Sequence, residues 1–155
     1  MENNLNQLDQ LDKKILTIIQ SNARVPFLEV ARECGVSGAA IHQRVNKLVS
    51  LGVIKGSEFL LDAKKIGYHT CAYIGIFLEK ASMYKQVAQE LMLIPEVTAC
   101  YYTTGNYSIL IKLYAHDNEH LKLILTDKLQ SISGISRTET FILLEQSFNR
   151  HLPVI

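Results

Sequence analysis

The sequence predicts an α+β protein in two parts: an all-helical segment, then a segment alternating in the order β-α-β-β-α-β. Three observations carry this reading. Between Asp9 and Leu51 apolar side chains recur at helical spacing, bracketed by capping residues. From Tyr68 onward, apolar and β-branched runs alternate with amphipathic stretches. Pro95 and the Gly105-Asn106 pair fall between those runs, where a helix must stop and a chain must reverse. A length of 155 residues suits one medium domain or two small ones. The expected division is a helical domain at 1–60, a connector at 61–67 and an α+β domain at 68–155.

In the first part, Asp9 is placed to cap a helix, with Asp12 at the third position near its positive end. Leu11, Ile15, Ile18 and Ile19 then form an apolar stripe reaching about Asn22. Pro26 suits the first turn of a second helix, in which Leu28 and Ala31 are expected to face inward. Gly35 offers the left-handed stop, Val36 plugs the turn, and Ser37 caps a third helix over 38–51. On that helix Ile41, Val45 and Leu48 share the core side, while Ala39, Gln43 and Asn46 lie opposite with His42 and Lys47 beside them. Gln and Asn can pair bidentately with adenine, and Ala can touch a thymine methyl. Three short helices with a glycine turn before the last make a helix-turn-helix. Beyond Gly52 the stretch VIKGSEFLLD reads as an extended segment leading away.

In the second part, 71–79, 97–104, 107–115 and 135–145 read as strands. Residues 83–94 and 118–132 read as helices. This is the split βαβ, ferredoxin-like plan. Strands 71–79 and 107–115 are almost continuously apolar, so one face suits a cover of two helices and the other needs a second cover.

Composition narrows the function class. The chain is 48% hydrophobic and 20% charged, which fits a globular protein with a core. The start, MENNLNQLDQLD, has neither a basic nor an apolar leader region, which argues against a secretory signal. No apolar run approaches the ~18 residues of a membrane span. Cys34, Cys71 and Cys100 are odd in number and far apart, which fits a reducing cytoplasm and not a disulfide framework. Net charge is only +1, but Ser37–Lys55 holds Arg44, Lys47 and Lys55 with no acid. Such a local positive stripe is what a phosphate-facing element needs.

The segments LDQLDKKILTIIQSNAR (8–24), LEVARECGVS (28–37), HQRVNKLVSLGVIKG (42–56) and LLDAKKIG (60–67) occur in an order that resembles the Lrp/AsnC (feast/famine) family of transcription regulators. The β-α-β-β-α-β part resembles that family's effector-binding and oligomerisation domain. The resemblance implies a winged-helix-like DNA-binding domain. Its third helix, starting at Ser37, enters the major groove of double-stranded DNA. Gly38, Ala39, Ala40, His42 and Gln43 are then at or beside base edges, and Arg44, Lys47 and Arg24 are at phosphates. Arg44 also has a competing reading, an ion pair with an acid of a neighbouring helix.

The resemblance further implies an amino-acid effector at the turn Thr103, Thr104, Gly105, Asn106, Tyr107 and Ser108. The segment 134–140 of a neighbouring subunit closes it, with Gly134, Ser136 and Thr138 as its site residues. It implies self-association into dimers and higher oligomers such as an octamer, and no other cofactor and no metal. Two departures stand out. The family's Gly-Asp-Tyr-Asp is here Gly105-Asn106-Tyr107-Ser108, and Ser57 stands where a Tyr often follows the connector glycine. With both turn carboxylates gone, ordinary amino acids are expected to bind weakly, or the site to have shifted to another ligand or none.

Two rival readings carry different chemistry. One is a small dimeric ferredoxin-like enzyme. His116 and His120 have ligand-like spacing, yet a metal wants three or four ligands, and no nucleophile triad, phosphate loop or CxxC is present. Tyr101, Tyr102 and Tyr107 cluster near the turn, where core or interface packing is their commoner use. The other rival is a metabolite-sensing interaction module without DNA binding.

Overall fold

A computed structural model describes residues 8–155. The reading of the first seven residues lies outside the described part. The chain forms two compact units: one runs to Leu60 and takes in Phe148–Ile155, and the other spans Leu61–Ser147. The last eight residues thus group with the helices and not with the α+β domain in which the sequence placed them.

In the helical unit, α1 spans Gln10–Ser21, α2 Phe27–Cys34 and α3 Gly38–Ser50. α1 begins with a reciprocal cap: the Asp9 carboxylate accepts from the Asp12 N–H (2.8 Å) and Asp12 accepts from the Asp9 N–H (3.3 Å). α2 ends on Gly35 at φ 69°, a left-handed conformation that suits glycine. The Ser37 hydroxyl then accepts from the Ala40 N–H at 3.2 Å and starts α3. These two signals, two residues apart, force the tight turn between α2 and α3.

The small core comprises Ile15, Val30, Ala31 and Ile41, with Leu11, Ile18, Ile19, Val36 and Val45 packed around it. Leu28 departs from expectation and is 60% exposed. The inward side of α2 is Phe27, Val30, Ala31 and Cys34, a strict helical stripe that leaves Leu28 outside. An apolar cleft of about 770 Å³ beside this core is lined by Leu16, Ile19, Val45 and Val49, with Leu152 and Val154 of the C-terminal tail along it. The Val53 and Ile54 N–H groups donate back to the Leu48 carbonyl, and residues 54–60 form neither helix nor strand.

In the second unit a short 3-10 turn at Lys64–Ile66 precedes β1, Thr70–Leu78. Then follow α4 (Tyr84–Met92), β2 (Val97–Tyr102), β3 (Ile109–Ala115), α5 (Asn118–Leu123) and β4 (Ile135–Ile142). α5 widens into a π-helical segment, Ile124–Leu129. The antiparallel sheet has the order β2-β3-β1-β4. Alternation sorts the sheet's two faces. Ala72, Ile74, Ile76, Ile109, Ile111 and Leu113 point to one face and are buried beneath Val87, Leu91, Leu121, Ile124 and Leu129 of the helices. The opposite face carries Tyr73, Phe77, Leu110 and Phe141, and among the described residues no helix of this unit covers it.

Candidate nucleic-acid interface and effector turn

α3 presents two sides. Ile41 and Leu48 are fully buried and fix the helix against α1 and α2. Ala39, His42, Gln43, Asn46 and Lys47 are exposed, while Gly38 and Ala40 are half-buried. No acid stands on the exposed side. His42 packs edge-on against Phe27 with ring centroids 4.6 Å apart, which orients its imidazole at the N-terminal end of the face. Arg24 is exposed, its guanidinium 5.4 Å from the Phe59 ring centroid.

Arg44 takes a different position. Its Nη1 donates to Asp12 Oδ1 at 2.9 Å and also to Asp9. Asp12 is fully buried, so the guanidinium meets the charge of an inward-facing carboxylate. The Arg44 hydrogen bond holds Asp9 below the usual carboxylate range, and Asp9 raises Arg44 in return. Lys47, half-exposed, lies 3.9 Å from Asp12 and keeps its ammonium near solvent. The capping box of α1 and the middle of α3 are thereby joined through one arginine.

The turn after β2 closes on itself. The Thr103 N–H donates to the Ser108 carbonyl (3.1 Å), and the Thr103 hydroxyl to the Tyr107 carbonyl (2.6 Å). The Ser108 N–H donates to Ile76 of β1 (3.0 Å). Gly105 has φ 110° in open space, so the backbone conformation itself demands glycine there. Thr104 and Asn106 are exposed at the tip.

Within one chain, Gly134, Ser136 and Thr138 have other surroundings. Gly134, at φ 98°, is packed by Met83, whose Cε would lie 2.6 Å from an added Cβ. The Ser136 hydroxyl donates to the Phe77 carbonyl at 3.0 Å, where a bulge shifts the β1–β4 register. Thr138 pairs with Ile76 and is half-buried.

Within the chain, β4 meets the turn at Glu139. The Tyr107 ring lies across Gly75 so closely that an added Cβ there would be 2.5 Å from it. Its hydroxyl donates to Glu139 Oε2 at 2.7 Å, and this bond raises the Tyr107 pKa. Arg137 stands two residues before Glu139 on the same face, its guanidinium 3.9 Å from the Phe77 ring centroid. A glycine in the middle of an apolar strand is the one signal for this arrangement available in the sequence.

The two histidines read as a metal candidate are engaged elsewhere. His116 Nδ1 is 2.8 Å from the Gly67 carbonyl, and His120 lies 3.2 Å from Glu96. No group of side chains fit to hold a metal ion occurs among the described residues. Among those residues no helix is long and apolar enough to cross a membrane.

Residues 8–55 match a winged helix-turn-helix DNA-binding model, and residues 71–152 match the Lrp/AsnC ligand binding domain. The regulatory protein AsnC of Haemophilus influenzae is 40% identical over 148 residues, 96% of this chain and 99% of that protein. The chain belongs to the Lrp/AsnC family. AsnC of Escherichia coli is 40% identical over 150 residues, 97% of each chain. Its solved structure superposes with a TM-score of 0.90 at 38% identity, covering 94% of this chain and 98% of that one. A Neisseria meningitidis transcriptional regulator, solved in complex with L-methionine, shares the fold at 23% identity and a TM-score of 0.87, covering 96% of each chain. The Lrp/AsnC assignment makes the helical unit a DNA-binding element and the protein a transcriptional regulator. The second unit is the ligand-binding part.

Proposed function

We propose that this regulator reads DNA with the exposed side of α3 and is tuned by a free amino acid held at the turn Thr103–Ser108. The observation that carries the first half is the acid-free side formed by Ala39, His42, Gln43 and Asn46 on a helix whose other side is locked into a core. Small and amide side chains there can approach base edges in the major groove. Ser37, Gly38 and Ala40 keep the backbone at the helix start close to the duplex. Lys47 and Arg24 supply phosphate contacts, which position the helix without specifying sequence. Arg44 braces α3 against α1 in place of the phosphate role first given to it. The experiment is a mobility shift on the DNA upstream of the protein's own gene. It is expected to show a complex that survives an excess of unrelated duplex. A complex lost equally to any competitor would refute sequence reading.

The effector half rests on the exposed Gly105 turn within a matched ligand-binding domain, and on the L-methionine bound by the Neisseria relative. Turn amides suit a carboxylate. The open sheet face, half-covered by its own aromatic side chains, supports a dimer in which a second copy covers it, with dimers associating further. The protein then acts as a homo-oligomer in the cytoplasm, without catalysis of its own.

A further inference from the structure

We infer that Phe59 is a positioning residue for DNA binding: its exposed ring, in the segment that follows α3, carries the guanidinium of Arg24 and aims it at a backbone phosphate. The inference rests on the reading of Arg24 as a phosphate contact and names what holds that side chain in place. Arg24 lies in the loop between α1 and α2, and Phe59 lies beyond the end of α3. The Val53 and Ile54 N–H groups donate to the Leu48 carbonyl at 3.0 and 3.2 Å and turn the chain off the helix. The segment that follows brings Phe59 to the α1–α2 loop, where Arg24 Cζ stands 5.4 Å from the ring centroid. That is inside the roughly 6 Å reach of a cation over an aromatic face.

Burial does not explain this aromatic. Phe59 is 73% exposed and is not part of the small core of the helical unit. Among the described residues Arg24 forms no ion pair, and the Phe59 ring is what its guanidinium meets. Its backbone N–H donates to Asn22 Oδ1 at 3.0 Å, which fixes the turn that carries it. Arg44 is the contrast: Asp9 and Asp12 already occupy its guanidinium. A flat guanidinium held near an aromatic face keeps its N–H edge open for two hydrogen bonds to a phosphate. A long exposed side chain must give up rotamer freedom when it binds, and the ring removes part of that freedom beforehand. The pair therefore raises affinity without reading sequence, because a phosphate contact carries no sequence information.

The test is fluorescence anisotropy of the full chain on the DNA upstream of its own gene and on an unrelated duplex, across a range of salt. Arg24→Gln should weaken binding to both and reduce the salt dependence by about one phosphate contact. Phe59→Ala should weaken both about two- to fivefold, the size of an exposed cation–π contact. Phe59→Leu keeps the apolar bulk and should lose as much, while Phe59→Trp should bind at least as well as the wild type. In the Arg24→Gln background Phe59→Ala should change nothing, because the ring then has no cation to hold. Both side chains are exposed, so every variant is expected to melt with the wild type. Wild-type affinity in Phe59→Leu would overturn the inference and leave Arg24 a phosphate contact. An equal loss from Phe59→Ala with and without Arg24 would overturn it too, and would place the ring on the DNA itself. If Arg24→Gln changes neither affinity nor salt dependence, the phosphate reading of Arg24 falls and the role of Phe59 with it.

Discussion

The positive charge of Arg44 points into its own unit, where Asp12 has no contact with solvent. Removing the guanidinium leaves Oδ1 of that buried carboxylate without its donor, while Oδ2 keeps the Asp9 N–H at 3.3 Å and Lys47 at 3.9 Å. An unsatisfied buried polar group costs about 1–3 kcal/mol, so Arg44→Ala should lower the stability of the helical unit by that amount in urea unfolding. Its DNA affinity should keep the wild-type dependence on salt. A slope smaller by about one would mean that Arg44 reaches a phosphate after all. Glu96 gives a second residue-scale prediction. Burial pushes its pKa up, but hydrogen bonds from Lys128 and His120 win and hold it below the usual range. A depressed carboxylate stabilises the fold above its ordinary range and loses that effect as pH falls through the lowered value. Lys128 is 41% exposed, so screening limits the pair to about 0.5–1 kcal/mol. The melting-temperature gap between wild type and Lys128→Met should therefore be present at neutral pH and close in acid. A gap independent of pH would mean that Lys128 stabilises by packing and not by charge.

At the scale of elements, β1 is built around an absence. Gly75→Ala would put a methyl 2.5 Å from the Tyr107 ring, and the ring must move. Overpacking of this kind costs about 1–3 kcal/mol. The variant should also release the Tyr107–Glu139 bond, so the tyrosine that titrates late in the wild type should titrate earlier in ultraviolet absorbance. An unchanged tyrosine titration would contradict the geometry. The helices of the first unit were legible because their ends are chemically marked: Asp9 with Asp12, Gly35 with Ser37. The strands were legible from alternation, but strand ends were not. The strand in the run at 135–145 ends at Ile142, with a last hydrogen bond from the Leu143 N–H to the Cys71 carbonyl. The widening of α5 at Ile124–Leu129 has no mark in residue spacing. Which face β4 shows the turn depends on its pairing with β1 and on the bulge at Ser136. A contact between residues 107 and 139 is tertiary, and only the register reveals it.

At the scale of the molecule, the open sheet face and the DNA unit both call for a second copy. A single helix-turn-helix has a small footprint, and two are needed for two half-sites. Sedimentation of the full chain at micromolar concentration should show a dimer or larger, and a monomer would refute the covering of the open face. The central claim is that the exposed side of α3 reads base edges. The measurement that tests it most directly is the ratio of affinities for the protein's own upstream DNA and for an unrelated duplex, in the wild type and in Gln43→Ala. A lost bidentate base contact is worth about 1–3 kcal/mol, so the ratio should fall by about 5- to 150-fold while non-specific affinity and salt dependence hold. An unchanged ratio would contradict the account.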